Sequence, residues 1–340
     1  MQLGIGIIGS GFMGRTYAET IAKHCPQARL RVVAGGSRAA QLAADYGTAC
    51  APSIEALVRR DDVEVVFITS PHDRHAEQAL LAAEAGKHLM IEKPMACSVA
   101  QCDAVLAACQ SYGVQCTVAF TQRTRKCNLR AKQILESGEL GSIRQVMEWE
   151  FFTGGRSAFP GWQSQEDNLG ILFGYGVHNL DRLRWLCGAE ITTVFAKCLP
   201  LQGSQVEGSS MLLLTLSNGA TAMLWCSADV PPPGFPSTQF SSWIIAERGL
   251  LDLDAYGELR VTRQGRWEVA ETQAPIDWAG KGSLDPVRLE SFARHCNDFF
   301  AALLEARPCP ISGWDGRQAV AAALAAYESA RTGCEIRLTP

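Results

Sequence analysis

The feature that most limits what this chain can fold into is its opening stretch, MQLGIGIIGSGFMGRTYAETIAKHC, residues 1–25. Apolar residues run from Leu3 to Ile8, the chain turns on Gly9, Gly11 and Gly14, and a helical pattern follows. A strand, a G-x-G-x-x-G turn and a helix in that order can receive a dinucleotide. The first glycine permits the tight turn, the second lets backbone approach a pyrophosphate with no Cβ in between, and the third lets the helix pack close to the strand. The helix N-terminus adds free N–H groups and the positive end of its dipole. Ser10, Phe12 and Met13, which share the turn, belong to the same candidate cofactor site. A plain glycine-rich turn would meet the spacing alone; the flanking strand and helix favour the nucleotide reading.

The same rhythm continues to residue 120. RLRVVA before Gly35, VEVVFITS (63–70), HLMIEKP (88–94) and VQCTVAF (114–120) read as strands, with helical patterns over 38–46, 72–86 and 98–113. Strand and helix alternating through short connections imply a doubly wound parallel sheet. Ligands of such sheets sit outside the carboxyl ends of the strands. That rule selects the glycine turn, Ser37 and Arg38, the run holding Ser70, Pro71, His72 and His75, then Glu92 with Lys93, and the stretch Thr121–Arg123. The tip of the second strand, Gly35-Gly36-Ser37-Arg38, carries no acid for a ribose 2′-hydroxyl. A serine hydroxyl beside a guanidinium suits a 2′-phosphate, so NADP is expected over NAD. The plainer reading makes Arg38 a solvated residue at a helix start. Glu92-Lys93-Pro94 ends a buried strand, where a lysine can donate to a substrate oxygen or act as a base once its pKa is lowered; a salt bridge at the strand end is the plainer alternative.

The second part of the chain changes character. A helix over 128–137 and a long alternating strand over 142–152 lead into a polar, glycine-rich loop. ILFGYGVHNLDRLRWLCG then gives a helix over 176–187, with His178 and Asp181 three apart and so on one face. A histidine in an apolar stretch is more often a satisfied core residue than a catalyst. Residues 192–270 are rich in strands, with a Ser-Asn-Gly hairpin turn at 217–219, and helices return at 287–306 and 313–332. The expected architecture is α/β: a Rossmann domain over 1–120, and over 121–340 an α+β domain with an open, largely antiparallel sheet, its C-terminal helices free to pack back on the first domain. Alternation such as Met211, Leu213 and Thr215 leaves one sheet face apolar, so a homodimer or homotetramer through that face is expected.

Composition narrows the function classes. A net charge of −4 offers no basic field for nucleic acid or an anionic membrane. No apolar run reaches membrane-spanning length, and the N-terminal apolar residues already serve the first strand, so a cytoplasmic protein is expected. The 13 cysteines show neither a C-x-x-C pair nor zinc spacing, and read as reduced core thiols without a metal. Arg123, Arg125 and Lys126, just past a strand end, are candidates to hold a substrate carboxylate, or else solvated charge.

The whole pattern resembles the Gfo/Idh/MocA oxidoreductases, a family that includes glucose–fructose oxidoreductase and inositol dehydrogenase. The resemblance rests on GIIGSGFMG (6–14), on ITSPHDRHAEQALLAAEAGKHLMIEKP (68–94), on LGILFGYGVHNLDRLRWLCG (169–188) and on DGRQAVAAALAAYESARTG (315–333). It implies NAD(P)-dependent hydride transfer at a sugar or polyol carbon, with Lys93 contacting the nicotinamide ribose and the reacting hydroxyl, and His178 as general acid/base. Trp162 and Gln163 stand where the family often has a Trp-Arg pair near the cofactor. The family's usual Asp four residues before the histidine is Gly174 here; Tyr175 and Asp181 are candidates to stand in for it. The loss of that Asp, and the text QVEGSSMLLLTLSNGATAMLWCSADV, resemble phthalate cis-dihydrodiol dehydrogenases, which shifts the expected substrate toward a cyclic diol. The expected function is a dehydrogenase or reductase acting on CH–OH groups of a sugar, cyclic polyol or cis-dihydrodiol. The alternative is a non-catalytic NAD(P)-binding sensor or partner subunit.

Overall fold

The computed structural model describes residues 2–153, 170–201, 206–235 and 240–338. The chain divides into two compact units, Met1–Thr121 with Ile276–Arg317, and Gln122–Pro275 with Gln318–Pro340.

In the first unit, β1 (Leu3–Ile8), α1 (Phe12–His24), β2 (Ala28–Ala34), α2 (Ala39–Asp45), β3 (Ala49–Cys50), α3 (Ile54–Val58), β4 (Val65–Ile68), α4 (His75–Glu84), β5 (His88–Ile91), α5 (Val99–Ser111) and β6 (Cys116–Val118) follow one another. The sheet order is β3-β2-β1-β4-β5-β6, with every pair parallel. Ile5, Ile7, Val65, Phe67 and Ile91 are fully buried, the unbroken apolar run of a strand covered on both faces. β1 lies between β2 and β4, so the strand order reverses there and opens a crevice at the carboxyl ends of β1 and β4. Two short elements, β3 and α3, were not anticipated; Ala49 and Cys50 are exposed and supply no apolar period to read. β5 stops at Ile91, so Glu92, Lys93 and Pro94 form a loop at the strand's end rather than its last residues.

In the second unit come α6 (Lys126–Glu136), β7 (Ile143–Thr153), α7 (Val177–Cys187), β8 (Ile191–Pro200), β9 (Glu207–Leu216), β10 (Thr221–Val230), β11 (Phe240–Ala246), β12 (Leu250–Asp254), β13 (Glu258–Arg263) and β14 (Arg266–Thr272). Together with the final strand β15 (Ile336–Arg337) they form a nine-stranded sheet ordered β14-β13-β12-β11-β7-β10-β9-β8-β15. It is antiparallel except where β10 runs parallel to β7. α6 and α7 pack against the sheet. Met147, Met211, Leu213, Trp243 and Ile245 are exposed, and register sets Met147 beside Met223 and Trp243, so they form one apolar surface.

The last helices are α8 (Pro286–Leu304) and α9 (Gly313–Thr332), and the boundary between the units falls within α9. α8 belongs to the first unit because its aromatics complete that core. Phe292 meets Tyr17 at 5.6 Å and Phe300 meets Phe67 at 6.1 Å between ring centroids. Among the described residues no helix is long and apolar enough to cross a membrane.

Candidate active site

The first unit builds its candidate cofactor positions mostly from backbone. Gly9 has φ +104°, a conformation that favours glycine, and a Cβ on Gly14 would stand 2.1 Å from Gly9 O. At Gly11 the situation is reversed: within 4 Å, a Cβ would meet only Arg38 Nη2, at 3.8 Å. The turn is therefore closed against the sheet and open above Gly11, where a pyrophosphate has to approach. No side chain caps α1 and its first turn holds no acid, so its N–H groups remain available to phosphate. The dinucleotide thus fits the residues present. Ser10, buried in the turn, accepts from the Arg38 backbone N–H at 3.2 Å, tying the tip of β2 to the glycine turn. Ser37 and Arg38 are exposed at that tip.

Three further contacts shape this crevice. Thr69 Oγ1 lies within hydrogen-bond reach of Ile8 O (2.9 Å) and Gly9 O (3.1 Å), and Ser70 Oγ donates to Gln78 at 2.6 Å. His75 is fully buried between two loops, its Nδ1 2.8 Å from Pro94 O and its Nε2 2.8 Å from Ser70 O. Burial lowers the His75 pKa against the pull of these two carbonyls. Buried His72 packs edge-on to it, and half-buried Pro71 precedes both. Glu92 is buried too. Tyr17 donates to its Oε1 at 3.0 Å and the Lys93 N–H to its Oε2 at 3.1 Å. Burial raises the Glu92 pKa, opposed by the Lys93 charge. The Glu92 side chain thus fixes the loop from which Lys93 projects. Exposed Phe12 lies 4.9 Å under the Arg288 guanidinium, and Met13 Sδ accepts from the same group.

The second unit builds its candidate positions from buried side chains. A wide π-type turn at Leu172–Gly176 leads into α7 and presents Tyr175, then His178 in the first helical turn. His178 is 8% exposed, with its ring 6.3 Å from Phe240. Glu207 clamps the π turn, accepting from Leu172 N (3.0 Å), Tyr327 OH (3.2 Å) and Ser210 Oγ (2.6 Å). Burial pushes the Glu207 carboxyl up to about 7. Along α7 the charges are matched in the interior. Asp181 accepts from Arg123 through both oxygens at 2.8 and 2.5 Å, and Arg182 pairs with Glu148 at 3.0 Å. Both pairs lie almost wholly out of water, where an unmatched charge would be costly. Asp181 is therefore the counter-charge of Arg123, and Arg123, offered by the sequence as a substrate cation, is engaged by it.

Two family models match this chain. One, described as an oxidoreductase family with an NAD-binding Rossmann fold, covers residues 3–120; the other, the GFO/IDH/MocA C-terminal domain, covers 128–252. The chain belongs to the Gfo/Idh/MocA family. An inositol 2-dehydrogenase of Salmonella paratyphi B is 26% identical over 98% of this chain and 96% of its own length. A 1-carboxy-3-chloro-3,4-dihydroxycyclohexa-1,5-diene dehydrogenase of Comamonas testosteroni is 28% identical over 64% of this chain and 56% of its own. The solved structure of a levoglucosan dehydrogenase, in complex with NADH and levoglucosan, superposes with a TM-score of 0.86 at 25% identity over the full length of both chains. The coarse activity of this family member is that of an NAD(P)-dependent oxidoreductase acting on CH–OH groups of sugars and polyols.

Within the family pattern the missing Asp is Gly174, buried in the π turn with its N–H on Gly170 O. Trp162 and Gln163 lie outside the described residues. Sequence reasoning missed Thr69, Gln78, Tyr17, Glu207 and Arg288. Tyr17 and Thr69 read as ordinary helix and strand-end residues, and Glu207 stands just ahead of the strand read from Ser209. Arg288 alone left a signal: a cation in the first turn of an apolar helix, where the dipole disfavours it.

Proposed function

We propose that this chain is an NADP-preferring dehydrogenase that oxidises a secondary alcohol of a cyclic diol or polyol. The bound nicotinamide supplies the hydride acceptor. Lys93 donates to the substrate oxygen and stabilises the charge that develops there, and His178 takes the hydroxyl proton. The observation that carries this reading is the glycine turn, closed at Gly9 and Gly14 and open at Gly11. The guanidinium of Arg38 over the same turn supports NADP. The inositol and dihydroxycyclohexadiene dehydrogenases among the relatives support a hydroxylated ring as substrate.

The test is to mix the protein with NADP or NAD and a panel of cyclic diols, polyols and sugars, following absorbance of the reduced nicotinamide. Turnover of a ring diol or polyol is expected. Gly174 favours a second reading, a cofactor-binding sensor, and NADPH binding with no turnover across the panel would establish that instead. Arg38→Ala is expected to weaken NADP about 10-fold more than NAD; equal losses for the two cofactors retire the 2′-phosphate argument.

A further inference from the structure

We infer that Arg125 anchors a carboxylate of the substrate, so that the ring diol or polyol oxidised here is itself an acid; this rests on the dehydrogenase reading above. Three cations lie between residues 123 and 126, and two of them are matched. Arg123 is paired with Asp181, and Lys126 with Glu271 at 2.8 Å. Arg125 is 3% exposed, and its Nε and Nη1 are shut from solvent with no acceptor among the described residues. A guanidinium is always charged, and burying it without acceptors is costly. A chain that keeps it there has an acceptor for it in the working state.

The guanidinium is held ready. Its Cζ lies 3.8 Å from the centroid of the Tyr256 ring. Tyr256 is fixed at both ends, its N–H on Asp254 Oδ1 at 2.8 Å and its hydroxyl receiving Gln122 Nε2 at 3.0 Å. From Tyr256 an aromatic wall runs to the proposed base: Tyr256 to Phe240 at 5.7 Å, then Phe240 to His178 at 6.3 Å. Phe152 and Tyr175 extend the same wall. A flat cation, an apolar wall and an imidazole in sequence describe a site for a ring with an anion at one end and a hydroxyl at the other. Arg182 also lies near Phe240, but Glu148 matches it. The single charge of Arg125, without an acceptor among the described residues, fits a monoanion better than a phosphate dianion.

The experiment pairs cis-3,4-dihydroxycyclohexane-1-carboxylate with its methyl ester. Turnover is measured with NADP, and equilibrium binding by calorimetry on protein saturated with NADPH. The acid is expected to be preferred by about 10- to 100-fold in binding, the range for hydrogen bonds to a charged group. Arg125→Gln should bring the acid-to-ester ratio to about one, and Arg125→Lys should restore part of it. A ratio near one in the unaltered protein, a preference that survives in Arg125→Gln, or failure of both compounds to bind would overturn the anchor. If Arg125→Gln does not fold, Tyr256→Leu takes its place: removing the stacked ring should cut the preference several-fold, and an unchanged ratio overturns the proposal. Arg125-dependent binding of the acid without turnover of either compound keeps the anchor and removes the dehydrogenase reading.

Discussion

The two units reach a binding surface by opposite means. The first closes a turn with glycines and leaves backbone N–H groups at a helix start, and the two cations proposed to meet ligand lie at its rim: Arg38 is exposed and Lys93 only half-buried. The second drives charge into its interior, with Asp181, Arg182, Arg123 and Glu148 all nearly sealed from water and matched in pairs. A backbone-built cradle needs no partner side chain and tolerates change at its rim. A surface underlain by buried ion pairs is held in shape by them, because removing one member strands the other. Substitutions in the first unit's mouth should therefore cost chemistry, and those beneath the second unit's surface should cost stability.

Lys93→Met tests the first half of that contrast and carries the largest expected effect. Turnover should fall about 10²- to 10⁴-fold while NADPH binding and the thermal midpoint stay near those of the unaltered protein. Undiminished turnover would discard Lys93 as the hydrogen-bond donor to the substrate oxygen, and a large loss of stability would erase the contrast. Asp181→Asn tests the other half. Stripping Arg123 of its counter-charge should lower the unfolding free energy by about 3–5 kcal/mol in urea titrations. A change below about 1 kcal/mol would mean that the pair does not hold α7 in place.

Glu207 sharpens the contrast by pH. Its carboxyl titrates near 7 in the folded chain, above its ordinary 4.5, because burial disfavours the charged form. The fold thus binds this proton more tightly than the unfolded chain does. Its contribution to stability is complete below the ordinary carboxylate value and is lost as pH rises through about 7. Between pH 5 and 8 the unaltered protein should lose about 2 kcal/mol relative to Glu207→Gln, which cannot ionise. Parallel pH profiles for the two proteins would show that Glu207 does not titrate there.

Much of the first unit was legible because its signals are local. The glycine turn, the alternation of strand and helix, and the candidate positions at strand ends all follow from residues close together in sequence. β3 and α3 escaped because they are short, and exposed β3 carries no apolar period. The end of β5 was placed too late because Glu92 is buried, yet its carboxylate is spent on Tyr17 OH and the next backbone N–H rather than on the sheet. In the second unit the sequence marked His178 and Asp181 as neighbours on one helix face, but not what they meet. Arg123 lies 58 residues from Asp181, and Tyr256 131 residues beyond Arg125, separations over which no period or spacing carries information.

By itself the sequence determined the class of fold, the dinucleotide turn and the family, because each depends on backbone conformations that particular residues permit or forbid. Only the tertiary structure decided how three neighbouring cations are used. Arg123 is neutralised, Lys126 is held by Glu271, and Arg125 lies buried against Tyr256 with two nitrogens that meet no acceptor among the described residues. Three cations within four residues are alike until folding brings different partners to each, since the energy of a charge depends on its surroundings and not on its place in the chain.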